Sequence, residues 1–324
     1  MAPPSEPAAP APAIAGRPGG LVHCVGLVTM DVIFSTAALP QGPGKCFAHG
    51  LAEVGGGPAS SAAVCVARLG GVASIAGRLG DDDTGRRLAE DLQREGVDTA
   101  WLRRLPGVRS PLSAVMVDAQ GERSVMAFSD PLMPPEADWL RPVLQGGTAL
   151  ADLTWPQGTR RLFDLAREAG LPRVLDADRF RHPASVVEDL VRSATHVIFS
   201  RPGLEQLTGQ PDIAAGLRAV GRLGAAATVT AVTDGEHGAY WWDDGALRRQ
   251  RPPTVTAVDT TGAGDAFHGA YALALARGAG LHECMRFATA VAAAKCVQPG
   301  GRAGLPDAAA LATFLSRHPL PDIE

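Results

Sequence analysis

Apolar and polar positions along this chain follow two rhythms, one of strands and one of helices. The first apolar run, "LVHCVGLVTMDVIF", is too short and too β-branched for a helix and predicts a strand ending near Asp31. "CFAHGLAEV" alternates like a half-exposed strand, and the stretch from Ala59 to Leu69 is apolar or small on every face, as in a buried helix. "VASIAGRLG" reads as a second core strand. "DDDTGRRLAEDLQREGV" reads as a surface helix, with acidic residues at its start and Asp83/Arg87 and Arg86/Glu90 at helical spacing. Residues 113–128 hold two strand-like runs around a Gly-containing turn, which predicts a hairpin. Beyond it come the strand "TALAD", a helix through "TRRLFDLAREAG", the strand "RVLDAD", another helix, the strand "HVIFS" and, later, "ATVTAVT". The hairpin "GAYWWDDGALRRQ" and helices near 263–277, 281–297 and 307–317 complete the pattern.

Such alternation predicts an α/β fold, a mostly parallel sheet covered by helices on both faces. The strands that break it, near 33–54 and 113–128, predict a small β-sheet lid projecting from the body. Residues 1–20 are rich in Pro and Ala, lack the basic start and apolar centre of a secretory signal, and read as a disordered tail. Residues 21–324 then form one domain. Net charge is −4 without a basic run, which argues against nucleic acid or an anionic membrane surface as a partner. No apolar stretch reaches the roughly 18–20 residues of a membrane span. The five cysteines are scattered and odd in number, which fits reduced thiols in the cytoplasm better than a disulfide framework or a zinc site.

One string carries chemistry. In "VDTTGAGDAF" (258–267) a carboxylate, Asp265, follows a Gly-Ala-Gly turn at the start of a nearly uncharged helix. Gly262 and Gly264 can adopt backbone angles closed to other residues, and with Ala263 they offer amides to an anion at a helix N-terminus. A carboxylate beside a bound phosphate would repel it unless an attacking hydroxyl lay between them. Asp265 could accept that hydroxyl's proton while the amides hold the charge on the phosphoryl oxygens. A lone Asp after a Gly is more often only an N-terminal helix cap.

The ten-residue string resembles the C-terminal signature of the ribokinase-like, PfkB-family sugar kinases, and "GGGPASSAAVCVARLG" (55–70) resembles their N-terminal one. The likeness runs from residue 21 to about residue 317. It implies a ribokinase-like fold and phosphoryl transfer from ATP, with Mg2+, to a hydroxyl of a sugar, commonly a primary one. By this resemblance Asp265 would be the base and Gly262, Ala263 and Gly264 the anion hole. Asp31, Gly56, Gly57 and Ser61 would meet the sugar, and Thr233, Gly235 and Gly238 the nucleotide. Asp259 and Thr261 would give carbonyls to a monovalent cation, K+ in many members, beside the loop "QPGGRAGLP". Ser61 stands where many members have Asn, and "SRPGLEQLTG" lacks their Asn-x-x-Glu.

Within the family the chain is most similar to the sulfofructose kinase subgroup, through "GLVTMD", "EVGGGPA", "SRPGL" and "KCVQPGGRAGLPD". That subgroup's sulfonate pocket combines a Lys, an Asn and an Arg. Lys45 fits the first, while Ala127 and Thr154 occupy the other two places. The expected activity is therefore phosphorylation of a fructose-like ketose. The alternatives are a 6-deoxy-6-sulfofructose kinase, a ribokinase, and a catalytically weak binding protein of this fold. An exposed lid edge would also allow a homodimer through the lid.

Overall fold

The computed structural model describes residues 19–120, 122–224 and 229–324. The tail reading for residues 1–18 lies outside the described residues, and Gly20 already accepts a hydrogen bond from the Val72 amide. In chain order the elements are β1 (Leu21–Val25), β2 (Thr29–Thr36), β3 (Ala48–Gly56), α1 (Pro58–Arg68), β4 (Val72–Gly80), α2 (Asp83–Arg94), β5 (Asp98–Leu105), β6 (Leu112–Val117) and β7 (Arg123–Phe128). There follow β8 (Thr148–Asp152), α3 (Pro156–Glu168), β9 (Arg173–Ala177), α4 (Ala184–Ser193), β10 (His196–Ser200), α5 (Arg201–Thr208), α6 (Ile213–Gly221) and β11 (Val229–Thr233). The chain closes with β12 (Ala239–Asp243), β13 (Ala246–Gln250), α7 (Ala263–Ala276), α8 (Leu281–Cys296) and α9 (Ala308–Arg317).

The main sheet has nine strands in the order β13-β12-β11-β10-β9-β8-β1-β4-β5, with β12 antiparallel to the rest. One apolar core packs α1, α7 and α8 on one face, and a second packs α3, α4 and α6 on the other. A separate four-stranded sheet, β3-β2-β6-β7, forms the lid. Its β2–β6 pairing is parallel and its outer pairings antiparallel.

The first apolar run is two strands rather than one. The break follows from Asp152, which is buried at the end of β8. Its Oδ2 accepts the Leu27 amide at 2.9 Å and the Ala59 amide, at the start of α1, at 3.2 Å. Its Oδ1 accepts both the amide and the hydroxyl of Thr154. A side chain at Gly26 would overlap this carboxylate, so the chain turns there from the main sheet into the lid. Asp31 consequently lies in lid strand β2, not at the end of a core strand. "TVTAVDT" (254–260), which by composition reads as a strand or its exit, is irregular, because Pro252 and Pro253 offer no amides to continue the ladder beyond Gln250. Strand β5 and helices α5 and α6 lie where the hydrophobic pattern predicts no element. In α2, Arg86 meets both Asp83 and Glu90, whereas Arg87 leaves the helix to pair with Glu53 of the lid.

Replacing Asp152 with Ala strands three backbone amides, that of Ala59 buried and those of Leu27 and Thr154 partly buried. Each unsatisfied group costs about 1–3 kcal/mol, and partial hydration brings the expected total loss in unfolding free energy to about 2–4 kcal/mol. Denaturant titration reads it, and a loss below about 0.5 kcal/mol would contradict the role assigned to this carboxylate.

Candidate active site

Helix α7 begins at Gly262, whose φ of 78° is left-handed and suits glycine alone. The first helical bond runs from the Ala266 amide to the Gly262 carbonyl at 2.9 Å. The amides of Gly264 and Asp265 therefore have no acceptor within the helix. Ala263 differs, because its amide already donates to the Thr260 carbonyl at 3.2 Å. Of the three residues expected to form an anion hole, Ala263 is thus partly committed elsewhere. Gly264 is exposed, and a Cβ there would meet nothing within 4 Å. An anion can approach this turn closely.

Asp265 sits in the first turn, half-buried, with its carboxyl pushed up to about 7. Burial is the main cause and the Asp176 charge the next, while His268 and a hydrogen bond from Ser61 act in the opposite direction. Ser61 reaches Asp265 because α1 and α7 cross almost backbone to backbone: a Cβ on Gly269 would lie 2.6 Å from the Ala62 carbonyl oxygen. His268 is buried one helical turn further on. Its Nδ1 lies 2.7 Å from the Gly264 carbonyl oxygen, and its Nε2 lies 3.2 Å from that of Ile198. The ring therefore braces the start of α7 against β10. Asp176 of β9 is 3.3 Å from His268 Nδ1, and burial raises its carboxyl well above the ordinary carboxylate range.

The lid brings a second group of residues together. Asp31 pairs with Val54 on one side and Ser113 on the other, and Ser113 pairs with Ala127, so these four share one row and one face of the sheet. Burial raises the Asp31 carboxyl, opposed by a hydrogen bond from Ser113 and by the Arg302 charge. Asp31 also lies against the backbone of Gly56, where a Cβ would overlap it, and Gly57, at φ 101°, abuts the Leu27 carbonyl. Lys45 stands apart, exposed in the loop between β2 and β3.

The remaining predicted residues lie at the ends of β11 and α8. Thr233 ends β11, and Gly235 opens a short 3-10 turn with φ 52°. Gly238 has a structural reason to be glycine, since a Cβ would overlap the Gln250 carbonyl. Asp259 accepts the amides of Thr261, Gly300 and Gly301 at 2.8, 2.9 and 3.0 Å. Burial would raise its carboxyl, but these amides, the Thr261 hydroxyl and Lys295 together hold it well below the usual carboxylate range. From the lid, Arg123 of β7 donates to the Thr261 hydroxyl at 2.7 Å, so the lid touches the turn that leads into α7.

The pfkB family carbohydrate kinase model matches residues 20–308. The chain belongs to that family. A fructokinase of Vibrio alginolyticus is 30% identical over 292 residues, which cover 82% of this chain and 93% of that relative. A proposed ribokinase from Agrobacterium tumefaciens, known from its crystal structure, is 36% identical with a TM-score of 0.86, covering 92% of this chain and 98% of the other. The Arabidopsis thaliana ribokinase complexed with ribose and ATP is 25% identical with a TM-score of 0.77, covering 92% and 99%. The protein is an ATP-dependent sugar kinase with the ribokinase-like α/β fold and a small separate sheet.

Several residues of the kinase's cleft escape a reading of its sequence. Asp176 and Asp178, at the carboxyl end of β9, act on Asp265, Asp152 at the end of β8 acts on Asp176, and Ser113 and Arg123 come from the lid hairpin. Aspartates closing the strands "TALAD" and "RVLDAD" were the available signal, because ligands of open parallel sheets collect at that edge. Among the described residues no group of three His, Cys, Asp or Glu side chains is arranged to hold a metal ion. Ser200, in the place of the family's Asn, caps α5 and donates its hydroxyl to Asp178.

The open space at Gly264 separates catalysis from folding. Gly264→Ala adds a good helix former, worth up to about 1 kcal/mol in an interior position and less at this end, so the melting temperature should hold or rise. The same methyl crowds the amide edge, and turnover should fall about 10²–10³-fold. Calorimetry and steady-state assays on one preparation test both, and unimpaired turnover would remove this turn from the site.

Proposed function

We propose that this kinase phosphorylates a primary hydroxyl of a fructose-like ketose, with Asp265 as general base. What carries this reading is the Asp265 carboxyl, set beside unpaired helix-start amides and raised to about 7, near the pH at which a base works best. Asp31, Ser113 and the Gly56–Gly57 backbone supply hydrogen-bonding groups for the sugar's secondary hydroxyls. ATP provides the phosphoryl group that is transferred. The amides of Gly264 and Asp265 offset the charge on its oxygens, and Asp265 takes the proton from the attacking hydroxyl. Thr233, Gly235 and Gly238 line the nucleotide side. Asp178 is exposed beside this path and suits a hydrated Mg2+, which keeps several waters and needs only one or two carboxylates beside phosphate.

The far end of the sugar meets Lys45, Ala127 and Thr154. Thr154's hydroxyl is spent on Asp152, and Ala127 offers no donor, so Lys45 is the single cation of the three. An anionic tail gains little there. A neutral ketose should react with a kcat/KM within about 100-fold of its 6-sulfo analogue. Fructose, ribose and 6-deoxy-6-sulfofructose, assayed with wild type, Asp265→Asn and Lys45→Ala, test both halves of the reading. Asp265→Asn should lower kcat about 10²–10⁴-fold on every accepted sugar. Lys45→Ala should weaken the sulfo sugar alone. Near-normal turnover by a folded Asp265→Asn protein would leave Asp265 a helix cap. A sulfo preference above about 10⁴-fold would mean a real anion pocket.

Two further parts of the proposal concern the whole molecule. Leu51, Met126 and Phe128 are exposed on the lid's outer face, and we assign a second copy of the chain to that surface. Light scattering should give a dimer that Met126→Glu splits, and a monomeric wild type at micromolar concentration would contradict it. The five cysteines are free and, among the described residues, no helix is long and apolar enough to cross a membrane. Both fit work in the reducing cytoplasm.

A further inference from the structure

Lys295 lies in the last turn of α8, and its side chain is fully buried. A buried ammonium is costly unless its donors are all met. Here they are. Nζ donates to the Asp259 carbonyl at 2.8 Å and to the Gln298 carbonyl at 3.1 Å, and lies 3.4 Å from Asp259 Oδ2. An ammonium has three N–H donors and no acceptor, so these three oxygens use its whole capacity. Burial lowers the lysine's pKa, and Asp259 counters that effect.

The oxygens belong to two different loops. One leads into α7 and the reacting carboxylate, and the other follows α8 and carries Arg302, which lies against Gly55 of the lid and pairs with Asp91 of α2. These loops are also where the family resemblance implies a monovalent cation held by carbonyls of Asp259 and Thr261. The donors found here do not fit that ion. The Asp259 carbonyl already accepts from the ammonium, and its carboxylate accepts three backbone amides and faces the same ammonium. A second cation, Arg123, stands 4.0 Å from Asp259 Oδ1. K+ bound at the Asp259 carbonyl would sit in a poorly solvated space beside two like charges.

We propose that the Lys295 ammonium is the resident cation joining these two loops, and that the kinase therefore works without added K+. Lys295 acts as a positioning residue: it fixes the 259–261 turn, which in turn aims the start of α7. The inference rests on the donor geometry, and its thermal test does not depend on which sugar is the substrate.

Wild-type melting temperature and turnover are compared in potassium and in tetramethylammonium chloride at equal ionic strength. Equal melting temperatures and rates within about twofold are expected, below the fivefold at which a bound effector is usually read. Lys295→Ala removes the ammonium and opens its space, so K+ should now raise both melting temperature and turnover, the latter about fivefold or more. Lys295→Met, which keeps length but adds no room, should lose activity without regaining it in K+. A wild type activated or thermally stabilised by K+ would overturn the proposal, and so would a folded Lys295→Ala protein indifferent to K+. If neither variant folds, the wild-type comparison decides alone. Failure of the sugar assay with a flat thermal response would count against the substrate reading and leave this one standing.

Discussion

Asp152 joins the end of β8 to the bend between the two sheets and to the first turn of α1. A buried carboxylate at this point is costly by itself, and burial does raise it above its ordinary value. Three backbone amides and a hydroxyl offset the cost, and the positive end of the α1 dipole adds to them. Everything on the sugar side depends on the result. The bend at Gly26 sends β2 into the lid, which sets Asp31 opposite Ser113 and against Gly56. The same carboxylate fixes where α1 begins, and the contact of Gly269 with Ala62 then fixes α7 against α1. Asp265 comes to rest beside Ser61 as a consequence.

The charges around the cleft are arranged in opposition. Acidic groups gather at the ends of β8 and β9, and burial, Asp176 and Asp178 raise Asp265 beside the free amides at the start of α7. Cations arrive from outside the main sheet, with Arg123 on the lid touching the 259–261 turn and Lys295 beneath it. Contact between Arg123 and Thr261 ties the lid directly to the turn that leads into α7. In this account a sugar that holds the lid down also steadies the catalytic turn, which links binding energy to the chemical step.

Much of the main sheet was legible because its central strands, from β8 to β11, are short blocks rich in apolar residues. The last three helices fall within two residues of their predicted bounds, and two of them hold the small, apolar runs "ALALA" and "AVAAA". The bend at Gly26 was hidden, because apolar residues continue on both sides and only a distant carboxylate marks the turn. The stretch "TVTAVDT" had the composition of a strand or its exit, but its neighbouring prolines removed the ladder donors. Asp265 was legible through its glycine neighbours. Asp152, Asp176 and Lys295 were not, since a lone charged residue at the end of an element looks like surface until its surroundings are seen. Thr154 shows the same limit at finer scale, as its side chain was visible in the sequence and its commitment to Asp152 was not.

The central claim is that the ionised Asp265 takes the proton, and the pH dependence of kcat/KM on the best sugar tests it most directly. That quantity follows the free enzyme, in which the Asp265 carboxyl lies near 7. The carboxylate is the active form, so kcat/KM should rise about tenfold per pH unit below neutrality and level off above about pH 7. A profile flat from about pH 5.5 to 8, with the enzyme folded throughout, would mean that no group of this kind controls the reaction.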